Sequence, residues 1–197
     1  MIELKKATAA QKLIAKRLLS VAPSEAPSFT DYWDDKKENS VVIFRSLDTP
    51  EFGLATYSTV GLCESELLID GKDLNIGLEI ITACRRDTPQ LENIISSAAF
   101  CVINSKWACA PGVIFPDILS MYNASNTLSD LYFCPPFLWN EMLDGLVIDG
   151  KKVAWLLAVP ISKSETEFAS QFGPKALEDL FEKKNIDIFN INRDSVV

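Results

Sequence analysis

Apolar positions along the chain change period several times, and each change marks an element. Thr8 and Gln11 form a Thr-x-x-Gln capping box, whose two side chains satisfy orphan backbone N–H groups reciprocally. Ala10, Leu13, Ile14, Leu18 and Val21 then recur at helical spacing, which predicts a helix over Ala9–Val21 with its lysines outward. Pro23 and Pro27 end it and open a loop over residues 24–30. The polar stretch 31–35 reads as part of the same loop, and residues 41–44 as a strand. Leu54–Val60 is small, β-branched or aromatic throughout, a second strand closed by Gly61.

Two hairpins follow the same device. Leu67, Leu68 and Ile69 lead into Asp70-Gly71, a pair that tolerates positive φ at both central positions of a tight turn. The return strand alternates, with Leu74, Ile76, Leu78 and Ile80 on one face and Asn75, Gly77 and Glu79 on the other. That pattern predicts one face in the core and Glu79 pointing away from it. Asp149-Gly150 repeats the turn, and residues 153–159 are so uniformly apolar that they predict a central strand covered on both faces. Between the hairpins, Thr88-Pro89 reads as an N-cap followed by Pro at the first helical position. Leu91, Ile94, Ile95, Ala98, Ala99 and Val102 give that helix a wide apolar stripe. Residues 113–115 and 131–133 are strand-like, and Pro135-Pro136 stops the second. Ser164-x-x-Glu167 predicts the start of a short helix broken at Gly173-Pro174. A last helix buries Leu177, Leu180 and Phe181 and carries Lys183 and Lys184 at its end, where the dipole favours cations. Hairpins interrupted by helices predict one α+β domain over residues 1–197, a mixed but mostly antiparallel sheet flanked by helices.

Composition narrows the chemistry. At 48% hydrophobic and 23% charged residues the chain is globular, which excludes disorder. Its longest uncharged run, residues 93–105, falls short of the roughly 20 apolar residues of a membrane helix. Residues 1–21 carry lysines where a signal peptide carries an apolar block, so a cytoplasmic protein is expected. The chain has no histidine, which excludes Ser-His-Asp and Cys-His nucleophiles and histidine metal ligation. Cys63, Cys84, Cys101, Cys109 and Cys134 include no Cys-x-x-Cys, so they read as reduced, buried thiols; no metal and no cofactor are expected.

The near-match to a phosphate loop at residues 145–152 ends in Lys152 where Ser or Thr must hold magnesium, and a strand follows it. It is a hairpin. Asp31, Asp34 and Asp35 beside Trp33 offer carboxylates near an aromatic platform, but three acids in one short loop suit a solvated face or a cap better than a glycosidase pair. Cys109 lacks the neighbours that would lower its pKa.

The net charge is −8, which repels nucleic acid and suits a basic protein partner or simply solubility, the acidic segment then being a solvated face. Between Arg45 and Arg85, Asp48, Glu51, Glu64, Glu66, Asp70, Asp73 and Glu79 face a single base, Lys72.

Several stretches, taken in order, resemble the suppressor-of-fused domain family: residues 56–62, 111–115, 135–139, 155–162 with Glu165, and 187–197. The likeness is greatest to small bacterial members described as antitoxins or immunity proteins, some of which neutralise nuclease toxins with an LXG export domain. The animal member sequesters a transcription factor and has a second domain, for which this chain is too short. The resemblance implies a mixed sheet flanked by helices, a non-catalytic binding function, and a cognate toxin as partner, with no nucleic acid and no membrane. A toxin that handles phosphates is basic, so Glu51, Glu64, Glu66, Asp70, Asp73 and Glu79 are the expected partner-binding residues. A regulatory protein-binding module and a carboxylate-based hydrolase are the alternatives.

Overall fold

The computed structural model describes residues 6–69, 71–139 and 145–197. Its sheet is built around two long strands, β6 (Ile76–Arg85) and β10 (Lys151–Ile161), which pair in parallel. On the β6 side lie β3 (Leu54–Val60), β2 (Ser40–Leu47) and, at the edge, β1 (Ser28–Trp33), each antiparallel to its neighbour. On the β10 side lie β8 (Asp130–Cys134) and the two-residue edge strand β7 (Ile114–Phe115). The short β9 (Leu146–Ile148) pairs with the start of β10. A separate ribbon joins β4 (Leu68–Ile69) to β5 (Lys72–Asp73). The mixed, mostly antiparallel sheet and its flanking helices form the α+β architecture.

Helices cover both faces. On one, α2 (Leu91–Ile103) buries its whole predicted stripe against Val41, Ile43, Leu78, Ile80, Phe133 and Leu156. On the other, α1 (Ala9–Val21), α3 (Lys163–Phe172) and α4 (Pro174–Lys184) cover Phe44, Val60, Ile81, Trp155, Leu157 and Val159. Strand β10 therefore has no wet face over its second half, which is why it reads as an unbroken apolar run. The Thr8–Gln11 capping box forms as predicted. Asp149 (φ 50°) and Gly150 (φ 79°) both take the positive φ that a two-residue hairpin turn demands. Gly71 (φ 72°) does the same in the first ribbon, where Ile69 pairs with Lys72; Asp70 lies outside the described residues.

Four boundaries differ from the sequence reading. Residues 28–33 are a strand, not a loop; an edge strand whose side chains are nearly all exposed shows no alternation to detect. The return strand after Gly71 is two pieces: β5 ends at Asp73, Leu74 and Asn75 break it, and β6 joins the main sheet. Helix α2 begins at Leu91 instead of Pro89, because residues 85–88 close a turn and Gln90 takes φ 61°. Helix α3 is capped by the overlapping box Ser162-x-x-Glu165. Glu165 wins over Glu167 because it is buried and held by an arginine.

That arginine ties the chain end to the sheet. Arg193 donates from Nη1 and Nη2 to the two oxygens of Glu165 at 2.6 and 2.8 Å, and from Nη2 to the Pro160 carbonyl at 3.2 Å. Glu165 also accepts from the backbone N–H groups of Ser162 and Val196. Both side chains are almost wholly buried, and the guanidinium lies over the Phe181 ring. Breaking such a pair from one side strands a buried charge. Arg193→Ala is therefore expected to lower the unfolding free energy by about 3–5 kcal/mol in urea titration. A double Glu165→Gln, Arg193→Met variant should lose less, since it leaves no unpaired charge.

Candidate partner-binding surface

The structure divides the six predicted acids. Glu64 lies on a single 3-10 turn after Gly61, Glu66 just beyond it, and Asp73 at the end of the ribbon; all three are exposed and close in the chain. Glu51 is exposed too, but it precedes β3 whereas Glu64 follows it, which sets them about 20 Å apart along a seven-residue strand. Asp70 lies outside the described residues. Bases dilute the charge: Lys106 pairs with Glu66 at 3.9 Å, and Lys72 stands in the ribbon itself.

Glu79 is no surface residue. Its exposure is 0%. Glu79 does lie opposite Leu78 and Ile80, as the alternation predicts, but the second face of β6 is covered as well. The carboxylate works inward. Oε2 accepts from Thr59 Oγ1 at 2.5 Å, and Oε1 accepts from the backbone N–H groups of Gly61 at 2.9 Å and Cys63 at 3.1 Å. It pins the turn that follows β3, where Gly61 takes φ 99° and a Cβ would meet the Gln11 side chain at 2.8 Å. Burial pushes the Glu79 carboxyl upward, against the pull of those hydrogen bonds. Burial also pushes up the thiols of Cys63 and Cys109, so both are protonated and inert. Among the described residues, no three Cys, Asp or Glu side chains gather as a metal site.

The sequence does not point to one concavity that the fold creates. A groove of about 750 Å³ opens at the end of β1, between the second half of α2 and the 3-10 turn at Ser120–Tyr122. Tyr32, Trp33, Phe100, Met121 and Tyr122 give it apolar surface, and Asp34, Asn39 and Asn104 a polar rim. Trp33 is 48% exposed and Met121 64%. The walls are braced: Tyr32 donates to Glu92 at 3.0 Å, and the Ser97 and Tyr122 hydroxyls share a bond of 2.6 Å. Asp34 accepts from the backbone of Glu38 and Asn39 and from the Asn39 and Asn104 amides. Desolvation, the largest single influence, pushes its carboxyl up, but the hydrogen bonds together outweigh it and hold the group below the ordinary range. Asp34 thus closes the turn after β1, with its acceptor capacity committed. Aromatic anchors beside a polar rim are the anatomy of a protein-binding site. The only signal in the sequence was Tyr32-Trp33 among acids; nothing in the periodicity brings residues 121 and 122 to the same place.

Comparison with known proteins places this geometry. The family model described as Suppressor of fused protein (SUFU) matches residues 37–194. The chain is 40% identical over 190 residues to "Immunity protein YqcF" of Bacillus subtilis (strain 168), spanning 96% of this chain and 98% of that one. A suppressor-of-fused homologue from Neisseria gonorrhoeae FA 1090 has the same fold, with a TM-score of 0.74 at 15% identity, over 95% of this chain and 97% of that one. Drosophila Suppressor of Fused aligns with a TM-score of 0.56 at 14% identity, over 95% of this chain but 51% of that one.

Glu79 sets a pH dependence. Its folded pKa lies above the ordinary 4.5, so the fold holds the proton more tightly than the unfolded chain does. The stability this contributes is full below pH 4.5 and is lost as pH rises through the folded value. Glu79→Gln keeps an acceptor for Gly61 and Cys63 and does not titrate. Relative to it, the wild-type urea midpoint is expected to fall as pH is raised from 4 through neutrality. Glu79→Ala should instead cost about 1–3 kcal/mol for each backbone N–H left without an acceptor.

Proposed function

The chain belongs to the suppressor-of-fused family, and we propose that it is an immunity protein, which binds a cognate protein toxin and neutralises it by occlusion. The observation that carries this reading is 40% identity to a protein named as an immunity protein, across nearly the whole of both chains. The finer reading is a basic nuclease toxin of the LXG type, met in the cytoplasm. A net charge of −8 supports it, since acids placed where phosphates would lie favour encounter with a phosphate-binding site. No catalytic residue, cofactor, nucleic acid or membrane enters this function. Among the described residues, no helix is long and apolar enough to cross a membrane. The hydrolase alternative needs two carboxylates from separate elements converging in a cleft, whereas Asp34, Asp35 and Glu38 in the groove all come from the one turn after β1, and Asp34 is already bonded by that turn and by Asn104.

Two surfaces divide the work in this proposal. The groove supplies aromatic and thioether anchors, which govern dissociation. Glu64, Glu66 and Asp73 are a separate exposed set outside the groove lining, and such exposed charges act mainly on association.

The test is co-expression with the toxin encoded beside this gene: cells should survive, and death despite soluble expression of the chain overturns the reading. With the purified toxin domain, Trp33→Ala should lose about 2 kcal/mol of affinity, roughly 30-fold, through faster dissociation. A Glu64→Lys, Glu66→Lys, Asp73→Lys variant should bind more slowly and with weaker salt dependence, at an unchanged dissociation rate.

A further inference from the structure

Among the described residues, strand β1 ends the sheet and no strand pairs with its outer side. Its register with β2 is unbroken over six pairs, from Ser28↔Arg45 to Trp33↔Ser40. The next residue, Asp34, donates its N–H to the Asn39 carbonyl at 3.0 Å, so Asp34 faces β2. Antiparallel pairs alternate between bonded and non-bonded residues. Ser28, Thr30 and Tyr32 therefore bond to β2, and Phe29, Asp31 and Trp33 aim their N–H and C=O groups outward.

Open edges invite pairing with a second copy, and proteins blunt them with lysine, proline, bulges or short strands. β1 has none of these: Ser-Phe-Thr-Asp-Tyr-Trp is six residues long, without lysine or proline, and its register has no bulge. What it has is Asp31 at the central outward position, exposed and making no hydrogen bond or ion pair among the described residues. Two copies of β1 pairing through all three outward residues must set Asp31 against Asp31, with Phe29 against Trp33. Shifted registers lose a rung, because they bring Pro27 or Asp35 into the ladder. Like charges directly opposite each other repel, so the edge is guarded against itself and left open to a strand of opposite charge.

We propose that β1 is the docking edge for the toxin: an extended segment of the toxin adds to the sheet there, with a lysine or arginine opposite Asp31. This rests on the immunity reading and gives it a mode of binding. Main-chain bonds to Phe29, Asp31 and Trp33 supply the ladder, and the segment runs on into the groove, which opens where β1 ends. The match to the family model begins at residue 37, beyond β1.

The edge can be tested without the toxin. The probe is a short synthetic peptide of alternating threonine and valine with a central arginine, and a twin with glutamate at that position. In NMR of the full chain, the arginine peptide should protect the amides of Phe29, Asp31 and Trp33 from exchange, while Thr30 and Tyr32, already bonded, stay unchanged. The glutamate twin should bind about fivefold more weakly, and Asp31→Lys should reverse that order. Equal affinity of the two peptides, protection confined to the 64–73 hairpin, or a wild-type chain that already dimerises through β1 overturns the proposal. With the toxin domain, Asp31→Pro removes one outward N–H and no bond to β2, so it should fold normally and bind about tenfold more weakly. Wild-type binding by that variant overturns the edge alone, whereas failure of the wild type to protect cells overturns the immunity reading and leaves the peptide result to decide the edge.

Discussion

Covering the sheet on both faces is the constraint from which the rest of this structure follows. Strands β3, β6 and β10 have no wet side along most of their length, so the polar groups they carry find partners inside the protein, Trp155 Nε1 on β10 being an exception. Thr56 and Thr49 bond to one another and to backbone carbonyls, and Thr82 donates across to the Ala158 carbonyl. Three fully buried carboxylates do the same for the loops at the strand ends. Glu79 holds the turn after β3. Asp130 accepts from the Asp117 backbone and from the Ser129 and Thr166 hydroxyls, joining β8 to α3. Glu165 caps α3 and clamps Arg193. Each is surrounded by fixed donors, so removing the carboxylate leaves several groups stranded at once.

Much of this architecture was legible in the residues. The capping box at Thr8, the α2 stripe, the Asp149-Gly150 turn and the all-apolar run of β10 each state their structure through a local rule that tertiary packing did not override. Reading failed where a pattern has two physical origins. Alternation from Leu74 to Ile80 arises from a strand with one wet face, and also from one whose second face buries a glycine and a satisfied glutamate. Gly77 was the available clue: a Cβ there would meet Cys63 and Val153 at 2.8 and 2.9 Å, so the supposedly open face is crowded. The break of alternation at Ile80-Ile81 pointed the same way.

The candidate partner surface is less legible, and for a different reason. Charge is additive along a sequence but a patch is local in space. Glu51 and Glu64 belong to one acidic segment, yet β3 separates them, and Lys106 reaches Glu66 from a distant part of the chain. The groove draws on β1, α2 and the 3-10 turn near Tyr122, three regions joined only by folding. No spacing rule connects them. Edge strand β1 looks like a loop in the sequence because exposure erases the hydrophobic signal that betrays a strand.

The stretches that carry the family resemblance are, in the structure, mainly the buried ones. Thr56, Ser58 and Thr59 are wholly enclosed, Gly61 answers to Glu79, the run from Trp155 to Ile161 is the central strand, and Arg193 is the clamp. Such residues are held by packing and hydrogen bonding inside the domain, so they specify the fold whatever the partner. The same fold at 15% identity, with a TM-score of 0.74, is compatible with few positions fixing how such a sheet is covered and locked. Residues free of those duties are the ones able to follow a changing partner. Edge β1 and the rim of the groove are the places where the chain offers outward hydrogen bonds, exposed aromatics and an uncommitted charge together. A scaffold locked from within can therefore exchange its recognition surface without disturbing its core.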